Sequence, residues 1–114
     1  MSTAPDRAAA DVFFALSDET RLAVIRRLGA GGALSATALA EGATVTRQAI
    51  VKHLFVLEGA GLVKHEKSGR EVLYDLHPEA LDAARAFLDG VSAGWDRALD
   101  RLRCLVEAPP EDAQ

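Results

Sequence analysis

Side chains that form hydrogen bonds or carry positive charge are concentrated between positions 46 and 52 of the chain. A glutamine amide can pair with the edge of adenine, and a lysine or arginine can donate to guanine acceptors or to a phosphate. An apolar side chain among them can touch the methyl group of thymine. Contact with double-stranded DNA is therefore the chemistry that this stretch favours, through Thr46, Arg47, Gln48, Val51 and Lys52.

Two further cations, Lys67 and Arg70, flank Ser68-Gly69, where a tight turn is expected. Residues 44–70 contain five Lys or Arg and two Glu, a net charge of +3, whereas the rest of the chain carries −7. The whole chain is acidic at −4, although DNA-binding proteins are often basic overall. Cations clustered on one segment of an acidic chain favour a polyanionic partner, with a solvated surface as the alternative.

A helix predicted over residues 46–59 positions the first group of side chains. Thr46 is typical of a helix N-cap, and the glycines at 59 and 61 are expected to end the helix. At about 100° per residue, the apolar residues that share one narrow arc are Ile50, Leu54 and Leu57. We expect this arc to be buried, which leaves the predicted contact residues on the outward side.

Two residues of this helix have alternative interpretations. His53 lies at the edge of the buried arc, where a local hydrogen bond competes with direct contact to a base. Phe55 points outward, so it either touches thymine methyl groups or packs against the hairpin or the preceding helix. We keep His53 among the candidate DNA contacts.

The remaining pattern predicts a mainly α fold of about five helices with a small β-hairpin, a winged helix-turn-helix. The Ser17 hydroxyl is expected to cap the second helix, which carries Leu22, Ile25 and Leu28 and stops at Gly29. The other predicted elements are helices at 8–16, from Ser35 to near Gly42 and from Pro78 to about Val106, and strands at 62–66 and 71–76. One domain is predicted over 8–106, with flexible tails at 1–7 and 107–114.

Three segments resemble the ArsR family of bacterial winged-helix repressors. They are FFALSDETRLAVIRRL at 13–28, VTRQAIVKHLFVLEGAGLV at 45–63 and KHEKSGREVLYDL at 64–76. The similarity covers about residues 10–105. The helix, the AGLV segment and the hairpin form a specific block, whereas the LSDETRL segment supports the family only beside it.

The resemblance implies a homodimer that uses its first and last helices as the interface. Two recognition helices would read an inverted-repeat operator and repress transcription until an effector, which the residues do not specify, lowers the affinity. By position, the resemblance assigns DNA contact to residues 46–48, 51 and 52, with the hairpin tip as the wing. The apolar candidates for the interface are Val12, Phe13, Leu16, Leu81, Ala84, Leu88, Val91, Trp95, Leu99 and Leu102.

Other functions find less support in the residue types. The only cysteine, Cys104, cannot form the thiolate cluster of a metal sensor, and three dispersed histidines do not suggest a zinc site. We therefore predict no metal and no cofactor, with redox sensing by Cys104 as a minor alternative. The sequence contains no grouping of Ser, His and Asp beyond chance and no Gly-rich phosphate loop, so no enzyme is predicted.

The main rival function is a winged-helix adaptor that docks an acidic protein surface through its cationic helix. No apolar run reaches the ~20 residues of a membrane span, so no membrane partner is predicted. A single cysteine is typical of a reducing compartment, and a cytoplasmic location is expected.

Overall fold

A computed structural model describes residues 4–106, which contain five helices and three strands. The elements are α1 (Ala4–Ala15), α2 (Glu19–Gly31), β1 (Leu34–Ser35), α3 (Ala36–Glu41), α4 (Arg47–Gly59), β2 (Val63–Ser68), β3 (Glu71–Leu76) and α5 (Ala80–Val106). The predicted mainly α winged helix-turn-helix fold is confirmed. Residues 1–3 and the predicted tail at 107–114 lie outside the described residues.

The ends of α1 and α2 differ from the prediction. α1 begins at Ala4, so residues 4–7 are helical rather than a tail, in line with the run of alanines and the acidic Asp6 in the first turn. α2 is capped by Asp18, whose Oδ2 accepts a hydrogen bond from the Arg21 N–H at 3.0 Å. The Ser17 hydroxyl instead donates to the Phe14 carbonyl oxygen at 2.6 Å, so the predicted Ser17 cap is wrong.

The strands form one antiparallel sheet in the order β1-β3-β2. β2 and β3 make the predicted hairpin, with a register that runs from Val63 opposite Leu76 to Ser68 opposite Glu71. β1 is a third strand that the sequence did not indicate, because it has only two residues and depends on β3 for its pairing. It connects the start of α3 to the middle of β3.

The chain divides after Ala84 into two compact units. In the first unit, apolar side chains from its helices and from the start of β2 form one core. Its members are Val12, Ala15, Val24, Leu28, Ala36, Leu39, Ile50, Leu54, Leu57, Leu62, Val63 and Ala84. The described part of the second unit is the rest of α5, residues 85–106, on which the large apolar side chains are exposed.

Candidate nucleic-acid interface

The position of α4 in the first unit is set by its cap and by its buried face. The Thr46 hydroxyl oxygen accepts a hydrogen bond from the Ala49 N–H at 3.1 Å, so the helix starts where the sequence predicts. Three side chains of α4 are fully buried, as their spacing predicts, namely Ile50, Leu54 and Leu57. Cap and core together fix the rotation of α4 and determine which of its residues face outward.

The predicted contact residues lie on the opposite side of α4. Gln48 and Lys52 are exposed, and Val51 is half-buried at the margin of the same surface. Arg47 is exposed as well, and its Nε donates to the Thr37 Oγ1 of α3 at 3.1 Å. This bond spans the turn between the two helices and holds the stem of Arg47, while the rest of its guanidinium remains exposed to solvent.

A groove of about 570 Å³ runs between α3, α4 and the hairpin. Arg47 lines it from α4, and Arg70 lines it from the tip of the hairpin. Glu41 and Glu71 also line this groove, so its charge is mixed and the two arginines supply its positive side. The two cationic segments that are separate in the sequence therefore meet at one surface feature.

The tip of the hairpin is a two-residue turn at Gly69-Arg70. Ser68 and Glu71 are the last paired residues, Gly69 has φ +63°, and Arg70 has no positive φ. Glycine at the first central position followed by a residue with negative φ is typical of a type II′ turn. The observed turn lies one residue later than the predicted turn at Ser68-Gly69. Lys67 and Arg70 are both exposed, so the wing presents its cations to solvent.

Arg27 of α2 secures the helix that precedes α4. Its Nη1 donates to the carbonyl oxygens of Ala38 and Leu39 at 3.2 and 2.8 Å, near the C-terminal end of α3. The last four carbonyls of a helix have no i+4 partner within it, so a cation at this end can bond to them and complements the helix dipole. The backbone of Gly42 lies close to the Arg27 side chain, since a Cβ on Gly42 would be 2.9 Å from the same Nη1.

His53 faces α2. Its Nδ1 lies 3.1 Å from Nη1 of Arg21 and 3.8 Å from the Asp18 carboxylate, and its side chain is 21% exposed. Arg21 also donates from Nε to the Ala15 carbonyl oxygen at 2.6 Å, at the end of α1. Of the two roles predicted for His53, these contacts favour the local hydrogen bond over direct contact with a base.

Sequence reasoning missed the part that Asp18 and Arg21 play at this junction. Their spacing of three residues indicates only the cap of α2, and His53 lies 32 residues beyond Arg21 along the chain. The hydrogen bond from the Arg21 N–H holds the pKa of Asp18 below its usual range. Desolvation opposes that effect, and the neighbouring His53 and Arg21 side chains add to it.

Phe55 is not packed against the hairpin or α3. Its side chain is 77% exposed, which contradicts the packed alternative within the described residues. The outward surface of α4 thus carries a large aromatic ring beside its polar and cationic residues.

Comparison with known proteins identifies the family of the chain. Residues 16–66 match the family described as a helix-turn-helix domain. Over 114 residues the chain is 40% identical to the HTH-type transcriptional regulator Rv2034 of Mycobacterium tuberculosis, a match that covers 98% of this chain and 99% of that protein. It is also similar to an ArsR-like transcriptional regulator from Rhodococcus sp. RHA1, at 40% identity and a TM-score of 0.76, over 90% and 96% of the two chains. The chain belongs to the ArsR family of winged-helix transcriptional regulators.

A protein with lower sequence identity to this chain is a homodimer. The solution structure of a homodimeric winged helix-turn-helix DNA-binding domain from Mycobacterium bovis matches this chain with a TM-score of 0.61 at 27% identity. The match covers 83% of this chain and 84% of that domain.

The apolar residues predicted for a dimer interface of this ArsR-family chain fall into two groups. Val12 and Ala84 are buried in the core of their own chain, with 1% and 5% of their surface exposed. The half-buried ones pack against that core, and they are Phe13, Leu16 and Leu81. The exposed ones lie on the second unit, and they are Leu88, Val91, Trp95, Leu99 and Leu102.

The cysteine and histidine side chains that could respond to redox state or bind a metal ion are dispersed within residues 4–106. Cys104 is an exposed free thiol. His65 pairs with Glu58, and His77 pairs with Glu79. Within residues 4–106, no three His, Cys, Asp or Glu side chains come together in a group that could hold a metal ion. No helix in that range is both long and apolar enough to span a membrane.

Proposed function

We propose that this chain acts as a homodimer in the cytoplasm, where it binds an inverted-repeat operator in double-stranded DNA and represses transcription. The observation that carries the proposal is the surface on which α4 and the wing combine. Gln48 and Lys52 are exposed on α4, and Arg47 and Arg70 line one groove beside it. In winged and related helix-turn-helix proteins, the second helix reads the major groove while flanking cations hold the phosphates.

The chemistry of each side chain determines which part of the DNA it suits. The Gln48 amide suits an adenine edge, Lys52 suits guanine acceptors, and Val51 can touch a thymine methyl group. Thr46 starts α4, and Arg47 beside it places a cation where the free N–H groups of a helix N-terminus favour a phosphate. Lys67 and Arg70 extend from the wing and suit backbone phosphates. His53 is left out of base contact because its side chain is only 21% exposed and its Nδ1 lies against Arg21.

A homodimer is supported by the exposed apolar residues on the second unit. Leu88, Val91, Trp95, Ala98, Leu102 and Leu105 recur at alternating spacings of three and four residues. That repeat is typical of a helix that packs against another helix along its length. The homodimeric state of the related domain from Mycobacterium bovis agrees with it. Two copies of α4 would then read the two halves of an inverted repeat.

The proposal is tested by selecting bound DNA from a random pool with the purified protein, followed by mobility-shift assays on the enriched sequence. The variant Arg47→Ala/Lys52→Ala should raise the Kd at least about 100-fold, because each hydrogen bond from a charged group contributes roughly 1.5–3 kcal/mol. The matched control is Arg26→Ala/Arg97→Ala, which removes two exposed cations elsewhere and should leave the Kd nearly unchanged. Equal affinity of the two double variants would contradict the assignment of α4.

Salt dependence separates DNA binding from the adaptor function. With about six phosphates contacted per dimer, log K should fall with log salt at a slope of about −5. Arg47→Ala should reduce that slope by about 1 for each phosphate contact that is lost. A flat salt dependence together with no enriched inverted repeat would instead favour a protein-docking adaptor.

A further inference from the structure

The outward side of α4 carries a large aromatic side chain, Phe55, that no contact within residues 4–106 covers. Phe55 is 77% exposed, although the same helix buries Ile50, Leu54 and Leu57 completely. At about 100° per residue, Phe55 lies within roughly 60° of both Gln48 and Lys52 around the helix axis. It therefore shares the polar surface of α4 and not the core-facing one.

A partner that contacts the Phe55 ring would also lie against the cations beside it. Single exposed apolar residues are common, so exposure alone does not identify a partner. Lys52 lies three residues before Phe55 on the same surface, and Arg47 is at the start of the helix. A polyanion suits those cations, and in the major groove of DNA the apolar group that a base edge presents is the C5 methyl of thymine.

The position of Phe55 along the helix determines which base it can reach. It follows Gln48 by seven residues, a distance of roughly 10 Å at about 1.5 Å per residue. Successive base pairs are about 3.4 Å apart along the DNA axis, so the two side chains meet bases at most about three pairs apart in one half-site. Gly59, one turn further on, is exposed and has no side chain, and Glu58 is half-buried and pairs with His65. Phe55 is therefore the last exposed apolar side chain of α4.

We propose that Phe55 is a specificity-determining residue whose ring contacts the C5 methyl group of a thymine within about three base pairs of the base read by Gln48. This rests on the proposed function, since it requires α4 to lie in the major groove. The contact adds sequence preference through an apolar group, beside the hydrogen bonds of Gln48 and Lys52. Its loss should change which bases are preferred more than whether DNA is bound.

The test uses the full chain and the operator enriched from the random pool. Each thymine of a half-site is replaced singly by deoxyuridine, which removes only the methyl group. The replacement at the thymine assigned to Phe55 should weaken wild-type binding about fourfold, the effect of burying one methyl-sized group. Phe55→Ala should bind both operators with equal affinity, whereas Leu22→Ala, which shortens an exposed leucine of α2, should keep the fourfold preference.

The outcomes are distinguishable. A thymine-to-deoxyuridine ratio that is the same in Phe55→Ala and wild type would overturn the role of Phe55 and leave the proposed function in place. An operator with no thymine at the expected distance would do the same, as would a Phe55→Ala variant that becomes monomeric in size-exclusion chromatography. Failure of the wild-type protein to bind any DNA would overturn the proposed function itself.

Discussion

At the scale of single residues, Asp18 shows how one carboxylate can serve two elements. It accepts the Arg21 N–H at the start of α2 and lies 3.8 Å from His53 of α4. The hydrogen bond favours the ionised form and lowers the pKa of Asp18 in the folded protein. Ionised Asp18 is therefore favoured by folding, and its contribution to stability depends on pH.

The pH dependence has a definite sign. Because the pKa of Asp18 is lower in the folded state, its stabilising effect is complete above the unfolded pKa of about 4 and disappears as pH falls through the folded pKa. Between pH 5 and pH 3, the melting temperature of the wild type should fall more steeply than that of Asp18→Asn, where Asn also caps helices but does not titrate. Parallel melting curves across this range would refute the assigned role.

At the scale of elements, Arg21 connects α1, α2 and α4. One guanidinium donates to the Ala15 carbonyl oxygen that ends α1 and to His53 of α4. Its planar fork of donors suits two such partners at once, which a lysine would not reproduce. The position of α4 therefore depends on a polar junction as well as on the core.

Loss of this junction should be measurable by urea unfolding. Arg21→Ala removes two hydrogen bonds from a charged group, each contributing about 1.5–3 kcal/mol, so the free energy of unfolding should fall by roughly 3 kcal/mol or more. His53→Asn should cost less, because the amide oxygen can still accept near the Nδ1 position. The control is Arg26→Ala, an exposed arginine of the same helix, which is expected to change stability by less than about 0.5 kcal/mol. Equal losses in the Arg21 and Arg26 variants would contradict the junction.

The elements also show what local sequence can and cannot predict. Thr46 and the arc of Ile50, Leu54 and Leu57 were predictable, because capping and helical periodicity act within a few residues. β1 and the contact from Arg21 to His53 were not, because each depends on a partner more than 30 residues away. The cap of α2 was misassigned to Ser17 because adjacent Ser and Asp side chains compete for the same amide groups. Of the candidate site, the outward residues of α4 were predictable and the shared groove was not.

At the scale of the whole molecule, the two units contribute different properties. The first holds the core and the candidate DNA surface, whereas α5 beyond Ala84 exposes a row of large apolar side chains. Such a row is a liability for a monomer and is typical of an interface. We expect association to depend on the second unit and base recognition on the first.

Size-exclusion chromatography with light scattering can test that division. Leu88→Ala and Trp95→Ala should shift the protein from dimer toward monomer, because each removes apolar area that a partner would cover. Their secondary structure should remain intact, since neither belongs to the core of the first unit. Val72→Ala, which shortens an exposed apolar side chain of the wing, should remain dimeric. Dimers unchanged in all three variants would place the interface elsewhere.

The close approach of Gly42 to Arg27 has a consequence for how this chain can change during evolution. A Cβ at position 42 would displace the end of a flexible side chain rather than the backbone, so the cost is loss of the bonds to Ala38 and Leu39. Once Arg27 has been replaced, the same Cβ meets no obstacle from that side chain. The two positions therefore constrain each other: a substitution at Gly42 is harmful in one genetic background and tolerated in another, so the order in which the mutations arise decides whether both can persist.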